Sequence, residues 1–446
     1  MLLATRYSLA LITIFNAHLL RSELVLADGT TQVFIEGAMS EAAKQRYMKI
    51  TSELSDNFLE KQIVYCRDNV DEINFLQIDQ NYIDKLKNLV DSLTSEVGRA
   101  LIGLTVMQLC IKAIEPAQSI RLHKGSRSTS NFSWQDGIPM GALDKQYITP
   151  VLRKYDLLRL NADGIMMTRS FAENYPYSSV YKANIRGARL EWINIVEAIE
   201  INDINAEIAL YYLLSQLLNQ AKTFKDLVVQ ILNNLTIFLT QTETISQEFI
   251  TELILRHINE SDYAARIMEI AMHSLMQAMQ EFNLFGQGIL RKISQMRSAN
   301  KKYGNIGDIE ILQTNQIIES WDAKYGKAYL RDELEELAEK LEAHPTILLA
   351  GFVTSVEPQR REEVTSRIQE IEEYFDITVE ILTFRDWIQK QFNRAVQDNI
   401  VTEQELAKAW ITAYTESLAQ QRQDIAPIDE PCYSWLSTLN TIFQTS

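Results

Sequence analysis

The chain is predicted to be an α-rich α/β protein, helical over most of its 446 residues, with a mixed sheet confined to its C-terminal half. Three observations lead there. Apolar residues recur at helical spacing through most of the first 260 positions. Residues 303–327 read as two short strands around a polar turn. Beyond them strand and helix patterns alternate, which is the signature of an α/β layer.

Five segments follow from these patterns: a helical region 1–117, a basic module 118–190, a helical scaffold 191–261, a core 262–396 and a helical tail 397–446. Apolar content of 46% and charged content of 23% fit a globular chain and argue against long disorder. Cys66, Cys110 and Cys432 are far apart and sit among apolar neighbours, so reduced buried thiols in a cytoplasmic protein are expected. The five histidines show no metal-ligand spacing. Ser8 to Leu20 is apolar but interrupted by Asn16 and His18, too short for a bilayer and without a small-residue cleavage site. Neither a signal peptide nor a membrane span is expected.

Helices are predicted from Ser40, which can cap the run beginning at Glu41; Leu86, Leu89, Leu93, Val97 and Leu101 mark a packed face. The formal charge of -16 looks wrong for a nucleic-acid-binding protein, but net charge does not decide where charge is placed. Residues 121–189 hold eleven Lys and Arg against five acids, and a second basic group, Arg291, Lys292, Arg297, Lys301 and Lys302, precedes Asp308. His123 to Asn131, basic and hydroxyl-rich, reads equally as a surface loop or as a phosphate-contacting one.

Gln146 to Tyr155 is a predicted helix, and Leu157–Asn161 and Ile165–Thr168 are predicted strands about the Asp163-Gly164 turn. Helix plus short hairpin is winged-helix-like, a shape used for DNA and for protein contacts. In the DNA reading Arg153 and Lys154 lie on the recognition helix and Arg159 and Arg169 flank the wing, with Arg186 and Arg189 sharing a helix face beyond. Lys124, Arg127, Arg297 and Lys301 complete the candidate duplex contacts. Trp192 to Leu255 is apolar, acidic and helical; Lys222, Lys225 and Asp226 interrupt any membrane-length run.

In the core, the helix Tyr263–Phe282 is apolar nearly all round except for Glu269, His273 and Gln277, a stripe that faces a cleft or a buried polar network. Side chains alternate across a strand, so Asp308 and Glu310 share one face of the first predicted strand, and Ser320, Asp322 and Lys324 one face of the second. Hydrolysis of a phosphodiester uses carboxylates to hold Mg²⁺ and a lysine to orient water or offset developing charge. Helix 331–341, strand 346–354, helix 362–374, strand 377–383 and helix 384–396 follow, and Thr402 with Glu405 forms a capping box for a last helix.

Asp308, thirteen residues, then Asp322-Ala323-Lys324 resembles the PD-(D/E)xK nuclease signature, with Asp as the second acid and no Pro before the first. Met296–Glu310 (MRSANKKYGNIGDIE) and Glu319–Lys327 (ESWDAKYGK) are similar to blocks of type II restriction endonucleases, and the resemblance is strongest over about residues 266–392. It implies a PD-(D/E)xK core with a mixed sheet, in which Asp308 and Asp322 bind Mg²⁺, Lys324 positions or activates water, and Glu310 or Glu269 adds a ligand. It also implies a homodimer on symmetric double-stranded DNA. The family's first core strand is not visible as an apolar run between Phe282 and Gly304. The rival readings are a non-catalytic winged-helix DNA-binding protein, a structure-specific repair nuclease on the same core, and an interaction scaffold.

Overall fold

The structure, a computed structural model, describes residues 10–16, 21–26, 29–92, 96–123, 134–158, 160, 165, 176–180, 187–242, 244–293, 305–397, 399–420 and 431–445. The chain divides into two compact units, 1–223 and 224–446.

The first unit begins with three antiparallel strands, β1 (Ala10–Asn16), β2 (Arg21–Leu26) and β3 (Thr31–Ile35), in the order β1-β2-β3. The region 1–117, expected to be helical, is therefore a sheet followed by helices. The apolar run at 8–20 contributes a strand because its register pairs Ile12 with Val25 and Ile14 with Glu23. Helices α1 (Glu41–Ser55), α2 (Phe58–Asn69), α3 (Gln80–Asp91) and α4 (Glu96–Ile114) follow. Ser40 caps α1 by accepting a hydrogen bond from the Ala43 amide at 3.1 Å. Helix α4 is apolar on all sides and correspondingly buried, with Leu101, Ile102, Leu104, Met107, Leu109 and Cys110 excluded from solvent. Its Gln108 is satisfied by the Ile120 carbonyl and the Trp192 indole.

The predicted helix 146–155 belongs to a longer helical stretch: α5 (Met140–Leu143), a π-helical turn (Asp144–Ile148) and α6 (Thr149–Lys154). Most of the predicted hairpin, 159, 161–164 and 166–168, lies outside the described residues, and residues 157, 158 and 160 form no strand. Helices α7 (Arg189–Glu200) and α8 (Ala206–Gln241) complete this unit, α8 continuing past its boundary.

In the second unit α9 (Gln247–Glu260) and α10 (Ala264–Glu281) precede a five-stranded mixed sheet. Its strands are β4 (Ile289–Leu290), β5 (Ile309–Gln313), β6 (Gln316–Lys324), β7 (Leu349–Thr354) and β8 (Thr378–Thr383), in sequence order. Pairing is antiparallel from β4 to β6 and parallel from β6 to β8, with α11 (Arg331–Leu341) and α12 (Glu362–Phe375) as the crossovers. Then come α13 (Phe384–Val396), α14 (Glu403–Gln420) and α15 (Cys432–Thr445). The strand missing from the sequence pattern is β4, which at two residues is too short to leave a periodic signal.

Thr314 and Asn315 join β5 to β6 with φ of 50° and 64°, the left-handed pair that matches the twist of a tight hairpin. One face of the sheet buries Ile309, Ile311, Trp321 and Val353 in the cluster that also takes in α10, α13 and α14. The other buries Ile317, Ala350, Phe352 and Val379 with Leu334 and Leu337 of α11. A bulge reconciles these sets: Ile311 pairs with Glu319 but Leu312 with Ile317, so Ile318 is the extra residue. Without it, Ile317 and Trp321 would point the same way. Among the described residues no helix is long and apolar enough to cross a membrane, and Cys66, Cys110 and Cys432 are buried.

Candidate active site

The carboxyl groups of Asp308 and Asp322 meet because the antiparallel register brings them together. Ile309 pairs with Trp321 and Glu310 with Ser320, so one step further along the ladder position 308 stands across from 322. The Asp308 amide donates to the Trp321 carbonyl at 3.0 Å, and Asp308 Oδ2 accepts from the Ala323 amide at 3.0 Å. Gly307 permits this approach: a Cβ there would stand 2.7 Å from both Ser320 Oγ and the Trp321 carbonyl oxygen.

Asp322 is buried, and Lys324 Nζ lies 2.8 Å from its Oδ2. Glu269 reaches the same site from α10, where buried Arg266 donates to its carboxylate. The pKa directions follow from this crowding. Desolvation raises the Asp308 carboxyl well above the ordinary range, the charges of Asp322 and Glu269 and a hydrogen bond with Asp322 add to the rise, and the Ala323 amide opposes it. Burial also raises Glu269, with Arg266 opposing and Asp322 adding. Burial works against the charge of Lys324, but Asp322, Asp308 and Glu333 outweigh it, so its pKa is raised and the amine stays an ammonium.

Three carboxyl groups thus share a site with two cations. Ser320, Asp322, Lys324 and Glu333 line a narrow cleft against α11, and Ser320 Oγ, buried there, has no hydrogen-bond partner among the described residues. No group of three or more His, Cys, Asp or Glu side chains among the described residues is arranged as a finished metal cage. The oxygens present are nonetheless hard donors of the kind Mg²⁺ takes, alongside water and substrate oxygens.

Glu310, expected as a possible ligand, is occupied elsewhere. It is buried, its Oε1 accepts from the amides of Ile306 (2.6 Å) and Gly307 (3.3 Å), and its Oε2 accepts from Arg291 Nη1. The polar stripe of α10 faces such networks: below Glu269, His273 Nε2 lies 2.9 Å from the Arg291 carbonyl oxygen and so carries the proton. Arg266, Gly307, Glu333 and the anchoring role of Arg291 were not singled out by the sequence. Arg266 falls three residues before Glu269, the one spacing signal that could have found it.

Of the candidate DNA contacts, Lys124, Arg127, Arg159, Arg169, Arg186, Arg297 and Lys301 lie outside the described residues. Arg153 is half-buried on α6. Lys154 is exposed but paired with Glu60 at 2.9 Å. Arg189 opens α7. Arg121, counted in the basic segment, is buried and donates to the Tyr177 carbonyl at 2.7 Å with Glu197 at 4.0 Å, so it belongs to the interior of its unit. His123 is likewise pushed down to about 4 by desolvation. Comparison with protein-family models and with curated proteins returns no match to this chain.

Proposed function

We propose that the protein is a Mg²⁺-dependent nuclease with a PD-(D/E)xK core, acting as a type II restriction endonuclease that cuts double-stranded DNA at a short specific site. The observation that carries the reading is the facing pair Asp308 and Asp322, two carboxyl groups held together with Lys324 in a desolvated site. Such a pair is costly for stability alone and suits a group whose partner is a divalent cation. The order helix, three antiparallel strands, helix, parallel strand, from α10 to β7, supports it.

In this reading Asp308 and Asp322 hold the metal, with Glu269 available as a further oxygen donor and Ser320 Oγ free to hydrogen-bond a bound water. When bound, Mg²⁺ lowers the pKa of water and offsets charge on the phosphoryl oxygens. The residues of the chain do the rest. Lys324, an ammonium, donates to the attacking water and to a non-bridging phosphate oxygen; its charge state suits positioning rather than proton removal. The water oxygen bonds to phosphorus and loses a proton to solvent, while the P–O bond to the leaving sugar oxygen breaks and that oxygen takes a proton from solvent, giving a phosphomonoester and a free hydroxyl. Arg266 donates to the Glu269 carboxylate and so aims it at the site, opposing in part the rise that burial gives its pKa. A homodimer matching the two-fold symmetry of its target belongs to the same reading.

Plasmid and Mg²⁺ test it. Wild-type protein should give discrete fragments, while Asp322→Ala and Lys324→Ala should give none yet still retard DNA on a gel. Cleavage by either variant at the wild-type rate removes the site assignment. A smear of products points to a nuclease without a fixed sequence, and DNA retention without any cleavage to a binding protein.

A further inference from the structure

We propose that Arg291 and Glu310 are a positioning pair: the guanidinium fixes the Glu310 carboxylate, which fixes the turn that sets Asp308 at its spacing from Asp322. The inference deepens the metal-nuclease reading and rests on it. Residues 305–308 belong to no strand, and their amides need partners supplied from outside the ladder. Glu310 supplies them for Ile306 and Gly307, while the Trp321 carbonyl takes the amide of Asp308.

The carboxylate doing this is 1% exposed, and its Arg291 partner is 40% exposed in its side chain. An ion pair with one partner buried and the other exposed is weak support for folding, since solvent screens its gain and an apolar residue on β5 would fill the place at less desolvation cost. What an apolar residue could not do is order the turn. Arg291 is itself fixed at both ends of its backbone: its amide donates to the Glu310 carbonyl at 2.8 Å and its carbonyl accepts from His273. His273 lies one helical turn beyond Glu269 on α10. A continuous run of hydrogen bonds therefore connects the helix bearing one acid to the turn bearing another. Outer groups that orient metal-binding carboxylates typically change metal affinity about 10–100-fold when lost.

The test is Mn²⁺ binding by calorimetry on the full-length protein, beside plasmid cleavage over a Mg²⁺ series. Glu310→Gln keeps the shape and an acceptor, Arg291→Met keeps the stem, and Arg291→Lys keeps the charge. Arg291→Met and Glu310→Gln should weaken Mn²⁺ about tenfold or more and raise the half-saturating Mg²⁺ in step. The double variant should be no worse than the poorer single one, Arg291→Lys should recover part of the loss, and circular dichroism should be unchanged. A purely structural pair would lower Tm and leave metal affinity alone, which would overturn the inference. So would unchanged metal affinity with weaker metal-free DNA retention, because Arg291 would then be a phosphate contact. Wild-type protein that neither binds Mn²⁺ nor cuts DNA defeats the nuclease reading itself and this inference with it. Wild-type activity matched by all variants defeats the inference alone.

Discussion

Replacing Gly307 with alanine tests whether the geometry of one turn governs the site. The new methyl would stand 2.7 Å from Ser320 Oγ and from the Trp321 carbonyl oxygen, and 2.9 Å from the Trp321 carbonyl carbon. An ordinary carbon–oxygen contact needs about 3.3 Å, so the turn must retreat from β6 by roughly half an ångström or more. The serine hydroxyl can rotate away; the strand backbone cannot, because β6 is paired on both sides. Overpacking of this kind costs about 1–3 kcal/mol. With about 2–4 °C per kcal/mol for a unit of this size, the fall in Tm should be roughly 2–12 °C. The retreat also stretches the 3.0 Å bonds that tie Asp308 to Trp321 and Ala323. Since a misplacement near 1 Å costs about 10²-fold in rate, cleavage should fall about tenfold or more. Gly326→Ala is the control: its φ of 72° carries strain, but nothing lies within 4 Å of the added carbon, so it should lose some stability and keep its activity. Thermal melts and single-turnover plasmid cleavage give both numbers. A Gly307→Ala protein with wild-type Tm and rate would refute the claim that this contact holds Asp308 in place.

Asp308→Asn keeps an acceptor for the Ala323 amide and removes one crowded charge. A raised carboxyl pKa means that the stability contributed by Asp308 is full below its ordinary 3.8 and is lost as pH rises through its folded value. Without metal, the wild type should therefore lose Tm more steeply than the variant as pH climbs above 4, and added Mn²⁺ should restore it only in the wild type. His257 has the opposite sign. Buried between the Tyr414 hydroxyl at 2.6 Å and the Trp435 carbonyl at 2.8 Å, its imidazole is pushed down to about 4 by desolvation. Its contribution is present above 6.5 and disappears as pH falls to 4, a loss of roughly 3 kcal/mol. His257→Gln should be less stable at pH 7 and show a flatter acid limb in thermal melts; equal slopes would refute this.

The hairpin at 309–324 was legible because alternation and a polar turn are local signals that survive without tertiary context. Helices 331–341 and 384–396 were legible to the residue because their apolar spacing serves a single face each. The N-terminal sheet was not, since its short strands leave no periodic mark stronger than an apolar run. Nor was β4, which is held by Gln280 accepting from the Leu290 amide and by its pairing with β5 rather than by its own composition. At the site, Asp308, Asp322 and Lys324 come together as strand alternation requires. Glu310 shares their face, yet spacing alone cannot tell a ligand from a turn anchor; that depends on Arg291 and on two amides. Arg121 shows the same limit, because charge counting takes no account of the carbonyl that draws a guanidinium inward.

The two-residue connection at 314–315 makes the acids neighbours in time as well as in space. A hairpin closes in microseconds, whereas the parallel pairings of β6 with β7 and β8 must wait for chain crossovers. The carboxyl groups at 308 and 322 are therefore juxtaposed while water still screens them, and their burden falls due only when α10 docks and strips that water away. Arg266 arrives on that helix together with Glu269, so the dehydrating element brings its own counter-charge. Pulse-labelled refolding should find amides of 309–324 protected ahead of those of 349–354; the reverse order would show that the acids are forced together only after the surrounding layers have closed.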